Sequence, residues 1–433
     1  VKIAVIGGGS TYTPELIEGF ARRADLLRVD DLVLHDIDAD RLAVVGGLAR
    51  RILARTGFPG RLSTTTDLAA AVDGAAAVLV QLRVGGQAAR LRDETIPGRY
   101  GMLGQETTGP GGFTKALRTV PVVLDIADQV RERAEPGAWI VDFTNPVGIV
   151  TRALLDAGHR ALGLCNVAIG FQRRIAAILG VPPESVLLDH AGLNHLSWIR
   201  GVTVDGVERL PDLFGAEHLP RLAREAHFPP ELLVTLGAIP SYYLRYFYCT
   251  DEEIAAQRGG VHRARQVAEI EAELLRMYAD ESLDTKPALL ERRGGAYYSE
   301  AAAALVTSLL TGDGATHYVD VRNDGTLPGL PAEAVVEVPA RVDATGAHPL
   351  PVRPLEPELL GLVQAVTGYE ELTIAAARAG SRTLALRAML AHPLIRQWGP
   401  ATALLDELIE ANRDFLPNFA VGAGARAAVT DAG

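Results

Sequence analysis

Val1-Lys2-Ile3-Ala4-Val5-Ile6-Gly7-Gly8-Gly9-Ser10-Thr11-Tyr12-Thr13-Pro14-Glu15-Leu16 is the stretch that decides the fold. Its apolar, mostly β-branched start predicts a buried strand over residues 1–6. Three glycines end that strand. Thr13-Pro14-Glu15 then reads as a cap, a proline at the first helical position and an acidic first turn. A strand that runs through a glycine turn into a helix N-terminus can hold a pyrophosphate, because backbone N–H groups come close and the helix end carries partial positive charge. Gly7, Gly9, Ser10 and Thr11 are the candidate contacts. The spacing departs from the usual fingerprint at one point: Tyr12 stands where a third glycine is expected.

The same rhythm continues outward. Residues 32–34 read as a strand ending in His35-Asp36, and an amphipathic helix follows over 39–56. Strands are expected at 61–66 and 75–82, then a long polar insertion, a helix over 115–133, and strands at 139–143 and 161–164. Six strands separated by helical segments predict an α/β fold, a Rossmann-like doubly wound parallel sheet over residues 1–165. Past it the pattern changes. Strand and turn material at 192–207 includes the hairpin signal Val204-Asp205-Gly206-Val207. Helices are expected at 261–279 and 301–310, strands at 317–323 and 334–338, and a mostly helical tail over 372–415. Residues 166–433 therefore read as a mixed α+β domain for substrate, metal and oligomer contacts. Residues 422–433 are small and polar enough to fray.

Composition excludes several classes. The chain of 433 residues is 48% hydrophobic and 22% charged, ordinary for a globular protein of two domains. A net charge of −11 disfavours nucleic acid as a partner. The apolar runs are too short for a membrane span. The chain enters a strand at once, so no signal peptide is expected, although it begins without Met. Two cysteines, Cys165 and Cys249, cannot build a disulfide framework, so the cytoplasm is the expected compartment.

Several constellations could carry chemistry. Asp36, at the end of the second strand, stands where a carboxylate bonds the ribose hydroxyls of NAD and repels the extra phosphate of NADP. It also reads as a solvated loop aspartate. The stretch 81–121 is rich in glycine, arginine and carboxylates, as in Gly104-Gln105-Glu106-Thr107-Thr108-Gly109-Pro110-Gly111-Gly112. It reads as an active-site wall or as a long surface loop. Arg83, Arg90, Arg92 and Arg99 could meet an anionic substrate. Asp142-Phe143-Thr144-Asn145-Pro146 places Asn145 at the crevice of an open sheet, or simply caps a helix. Cys165 and His195 are too few for a structural zinc site. They could hold a catalytic ion completed by substrate and water, or be a buried thiol and a hydrogen-bonded ring. Tyr242-Tyr243-Leu244-Arg245-Tyr246-Phe247-Tyr248 reads as packing or an interface. A tyrosine base there would need a nearby cation or metal.

Together these motifs resemble glycoside hydrolase family 4, the NAD- and divalent-metal-dependent glycosidases. The matching stretches are 7–16, 81–86, 99–121, 142–147, 163–166, 192–198, 240–248 and 294–300. The resemblance implies a hydrolysis in which NAD takes hydride from sugar C3, a base removes the C2 proton, the C1 group is eliminated, water adds, and hydride returns. It implies Cys165 and His195 as ligands of Mn²⁺ or another divalent cation, Tyr243 as base and Glu106 as leaving-group acid. Gly7, Gly9, Ser10, Thr11, Asp36, Arg83 and Asn145 would meet NAD. Arg90, Asn145, Asn166 and Arg263 would meet a sugar phosphorylated at O6. Cys165-Asn166-Val167 and Arg293-Gly-Gly-Ala-Tyr-Tyr-Ser299 resemble the 6-phospho-β-glucosidase branch, with Ala168 where proline is expected. The alternatives are a 6-phospho-α-glucosidase, an α-galactosidase or glucuronidase of the same family and, from another class, a lactate- or malate-type dehydrogenase. Relatives imply a homodimer or homotetramer.

Overall fold

In the computed structural model, residues 1–294 and 297–419 are described; the fraying expected of 422–433 lies outside them. The first six strands are β1 (Lys2–Ile6), β2 (Asp31–His35), β3 (Arg61–Thr65), β4 (Ala77–Val80), β5 (Trp139–Asp142) and β6 (Ala161–Gly163). All pair in parallel, in the order β6-β5-β4-β1-β2-β3. This is the doubly wound arrangement, and its order reverses between β1 and β4. Ligands bind in the crevice at such a reversal. Ile3, Ala4, Val5 and Ile6 are at most 2% exposed. Each large side chain buried this way contributes on the order of 1.5–3 kcal/mol, which fixes the register of the central strand.

The sheet continues beyond residue 165. The remaining strands are β7 (Val186–Leu193), β8 (Leu196–Val204), β9 (Val207–Glu208), β10 (Ile239–Pro240), β11 (Ala315–Arg322), β12 (Val335–Asp343) and β13 (Gly346–Pro349). β11 joins β6 in antiparallel fashion, and β12, β7, β8 and β10 follow outward from it. Among the described residues one thirteen-stranded sheet thus carries both halves. The hairpin expected at 204–207 is present, with Val204 paired to Val207.

The insertion is not a plain loop. Gly86–Thr95 is a helix, and the helix expected from residue 115 begins six residues earlier, as Gly109–Arg133. Gly109, Gly111 and Gly112 read as loop residues, yet they start the helix: Gly109 takes φ 65°, and at Gly111 and Gly112 nothing larger fits. A Cβ on Gly111 would stand 2.1 Å from the Gln105 carbonyl oxygen. The wall is tied from within by the buried Arg118–Asp93 ion pair. Arg92 and Arg99 are corrected as substrate contacts: Arg92 donates to the Ala411 carbonyl and Arg99 pairs with Glu407. Arg92 lies two residues from Arg90 along a helix, so it points to another face.

Candidate active site

The glycine turn after β1 is locked by close approach. Gly7 sits at φ 86°, and a Cβ there would lie 2.6 Å from the Gln81 carbonyl oxygen. Gly7 and Gly8 N–H both donate to the His35 carbonyl. Gly9 N–H donates to Asp36 Oδ2 at 2.9 Å, and a Cβ on Gly9 would stand 2.8 Å from that oxygen. Asp36 is therefore held beside the turn. Ser10, Tyr12 and Thr13 N–H are also satisfied within the turn. The Thr11 N–H has no acceptor among the described residues, while its side chain is fully buried away from the cleft. Thr11 can meet a ligand only through its backbone.

Tyr12 does something other than replace a glycine. Its hydroxyl donates to the Gly294 carbonyl, and the Arg293 guanidinium lies 4.6 Å from its ring centre. Arg293 in turn donates to Glu271, which also pairs with Arg41, whose Nε donates to the Gly9 carbonyl at 2.7 Å. The bulky third position joins the turn to the far half of the chain.

A cleft of about 1290 Å³ opens from this turn. Gly7, Ser10, Asp36, Arg83, Arg90, Glu106, Asn145, Asn166, Tyr243 and Arg263 all line it, although they are spread over more than 250 positions of sequence. On one wall Glu106 is gripped by Arg83, by Lys115 at 2.8 Å and by Arg90 at 3.2 Å. Burial pushes its carboxyl up, but Arg83, Lys115 and Arg90 outweigh that and hold it well below the usual range. Glu106 is thus an anion here, which can accept a proton but not give one. Lys115 was missed by sequence reading; its burial, reinforced by Arg83, lowers its pKa to about 7. The signal was a lysine inside the apolar helical run Phe113–Leu117. Arg90 also donates to Glu94 at 2.7 Å, and Arg263 is exposed, donating to the Arg292 and Arg293 carbonyls.

Across the cleft, the tyrosine cluster faces inward. Tyr242, Tyr243 and Tyr246 line the cavity. The Tyr243 ring stacks on the His195 ring, centres 3.6 Å apart and planes at 12°. Burial, then Tyr242, pushes the Tyr243 hydroxyl well up, so it needs an added cation to ionise.

His195, behind that ring, and Cys165 are both buried, and neither lines the large cleft itself. His195 closes the two-residue turn between β7 and β8, with Leu193 paired to Leu196, and has φ 65°. Burial lowers its pKa to about 3, so the imidazole is neutral and free to ligate. Cys165 lies two residues past β6, its thiol pushed up by burial and then by Glu337. Tyr298 stands in the Arg293–Ser299 stretch but was given no role; its hydroxyl donates to the Leu164 carbonyl at 3.3 Å, and burial, then Cys165, pushes its pKa well up. Among the described residues no group of three or more His, Cys, Asp or Glu could hold a metal. Two protein ligands, with Asn145 Oδ1 buried and unpartnered nearby in the cleft wall, fit an ion completed by substrate and water rather than a structural metal.

Comparison with known proteins gives one family. Residues 2–181 match the sequence model described as "Family 4 glycosyl hydrolase", and residues 190–395 match "Family 4 glycosyl hydrolase C-terminal domain". A probable 6-phospho-beta-glucosidase of Bacillus subtilis is 40% identical over 97% of this chain and 98% of its own. A phospho-alpha-glucosidase of Clostridium acetobutylicum is 28% identical over 96% and 98%. The solved 6-phospho-beta glucosidase of Thermotoga maritima, with manganese, NAD+ and glucose-6-phosphate, superimposes with a TM-score of 0.89 at 37% identity. It covers 96% of this chain and 99% of its own.

Proposed function

The chain belongs to family 4 of the glycosyl hydrolases, and from that premise we propose how its cleft hydrolyses 6-phospho-β-glucosides with NAD and a divalent metal. The β assignment rests on identity, 40% to the β enzyme of Bacillus subtilis against 28% to the α enzyme of Clostridium acetobutylicum. Bound NAD supplies a reversible hydride acceptor for sugar C3, and the bound metal supplies positive charge at the C2 and C3 oxygens. The chain's own residues do the rest.

Asp36 takes the ribose hydroxyls; the turn that Gly7 and Gly9 keep narrow takes the pyrophosphate through the Ser10 hydroxyl and the Thr11 N–H, with Arg83 and Asn145 at the nicotinamide end. Arg90, Asn145, Asn166 and Arg263 take the sugar and its phosphate, which releases Arg90 from part of its hold on Glu106. Cys165 and His195 hold the metal. Tyr243 removes the C2 proton. The observation that carries this role is its ring stacked on His195: a cation at the histidine is the charge its hydroxyl needs in order to ionise. The leaving-group proton we assign to the Lys115–Glu106 pair, because Glu106 alone is held ionised while Lys115 carries a labile proton.

The reading includes a cytoplasmic homodimer or homotetramer. Its support is a free buried thiol needed in reduced form, and an exposed Trp398 on the C-terminal helix Trp398–Ala411. Among the described residues, no helix is long and apolar enough to cross a membrane. The test is a paired assay of α- and β-nitrophenyl 6-phosphoglucosides, with and without NAD and Mn²⁺. Cleavage of the β substrate only with both cofactors is expected. Cleavage of the α form alone would select the sister activity. NADH released in proportion to product, with no glycoside cleaved, would select a dehydrogenase.

A further inference from the structure

Two buried carboxyl groups take no part in the cleft. Asp320 of β11 and Glu337 of β12 are both 0% exposed and stand directly opposite each other across the antiparallel ladder. Among the described residues no lysine or arginine bonds either one; His190 Nε2 lies 3.3 Å from Glu337. Burial, then Glu337, Glu370 and Asp142, pushes the Asp320 carboxyl well up. Asp320 Oδ1 and Glu337 Oε1 have no hydrogen-bond partner among the described residues. Unmatched carboxyls facing each other in a core lower stability, so stability does not account for them.

What they grip does. Through the backbone, Asp320 pairs with Gly163, two residues before Cys165, and Glu337 pairs with Gly192, three before His195. Through side chains, Asp320 Oδ2 accepts from Asn194 Nδ2 at 3.4 Å, and Asn194 lies close enough to the Cys165 thiol to pull its pKa down against the effect of burial. Glu337 Oε2 accepts from Ser197 Oγ at 3.4 Å. Asn194 and Ser197 flank His195, a non-glycine residue at φ 65°. Such a backbone persists only where its surroundings over-determine it. β11 and β12 are therefore the two strands that join the Cys165 loop to the His195 turn.

We propose that Asp320 and Glu337 are positioning residues for the divalent cation: a buried pair that sets Cys165 and His195 at ligating distance through Asn194 and Ser197. The inference rests on the reading that Cys165 and His195 hold the metal. Outer partners of metal ligands commonly change affinity by about 10–100-fold when lost.

The experiment is Mn²⁺ binding to the NAD-loaded full chain, followed by electron paramagnetic resonance, beside thermal melting without metal. Asp320→Leu is expected to weaken Mn²⁺ binding by about 10–100-fold while the metal-free melting temperature holds or rises. Asp320→Asn, which keeps the acceptor for Asn194, is expected to restore most of the affinity. Ser197→Ala, which releases the second grip without touching a carboxyl, is expected to weaken Mn²⁺ several-fold. Unchanged Mn²⁺ affinity in Ser197→Ala, or in folded Asp320→Leu, overturns the proposal, as does an asparagine variant no better than leucine. If wild-type protein binds no Mn²⁺, or binds it equally after Cys165→Ser, the metal reading itself has failed, a different result.

Discussion

The cleft wall and the sheet seam hold buried carboxylates under opposite conditions. Glu106 is surrounded by three cations and stays ionised. Asp320 and Glu337 have no arginine or lysine partner among the described residues, and Asp320 is driven toward its neutral form. The wall keeps matched charge that a phosphorylated ligand can exchange into, since each arginine released from Glu106 can meet a phosphate oxygen. The seam keeps polar groups whose use is geometric. Tyr243 lies between the two, facing Glu106 across the cavity and stacked on His195 in front of the seam. The sharpest way to break the comparison is at that ring.

Tyr243→Phe keeps the stacked ring and removes only the hydroxyl. The fold and Mn²⁺ binding should survive, while kcat falls by about 10²–10⁴-fold, the usual worth of a placed base. Solvent deuterium exchange at sugar C2 is the direct readout; exchange that persists in the variant would place the base elsewhere. Next in size is Cys165→Ser. A neutral hydroxyl is a poorer ligand than a thiolate, so Mn²⁺ activation should need about 10–100-fold more metal. An unchanged activation curve would remove the thiol from the site.

The wall gives a smaller effect with a pH signature. Lys115 is protonated below about 7 and neutral above it. If the Lys115–Glu106 pair supplies the leaving-group proton, kcat/KM on alkyl glucosides should fall on the alkaline side with an apparent pKa near that value. Nitrophenyl substrates, whose leaving group needs no proton, should show a flatter profile. Lys115→Gln should remove the limb and slow alkyl substrates about tenfold or more. For stability the sign runs the other way. The folded pKa is below the unfolded one, so the unfolded chain binds more protons between about 7 and the ordinary lysine value of 10.5, and stability rises with pH across that window. An alkyl-substrate profile identical in both proteins would rule out the lysine as donor.

These two regions also differ in how far sequence alone revealed them. β1 to β6 were legible within a residue or two because all but β3, Arg61-Leu-Ser-Thr-Thr65, are short and mostly apolar runs closed by a glycine or polar turn. The cleft residues were legible through motif spacing. The seam was not. β11 pairs with β6 across about 150 positions, and neither strand's pattern names the other. Asp320 and Glu337 sit in apolar strands where a carboxylate reads as a break in the pattern, and only the folded ladder puts them opposite each other. Lys115 was hidden for the same reason: a charge inside an apolar run is interpretable only once its partner, nine residues earlier in an irregular stretch, is seen beside it.

Arg99 is the control for both regions, and the smallest effect. It pairs with Glu407 as closely as Arg83 pairs with Glu106, but its side chain is 66% exposed. Water already solvates that guanidinium, so the pair gains little by forming, about 0–1 kcal/mol. Glu407 also keeps a 2.7 Å hydrogen bond from Tyr100 when the arginine is gone. Arg99→Ala should therefore move the melting temperature by no more than a few degrees, less at high salt, and leave kcat and KM within about twofold. Arg90→Ala, 10% exposed in its side chain and shared between Glu94 and Glu106, should raise KM for the phosphorylated sugar by at least tenfold. Equal KM effects from the two alanines would mean that burial and matched charge do not mark the phosphate side of this cleft.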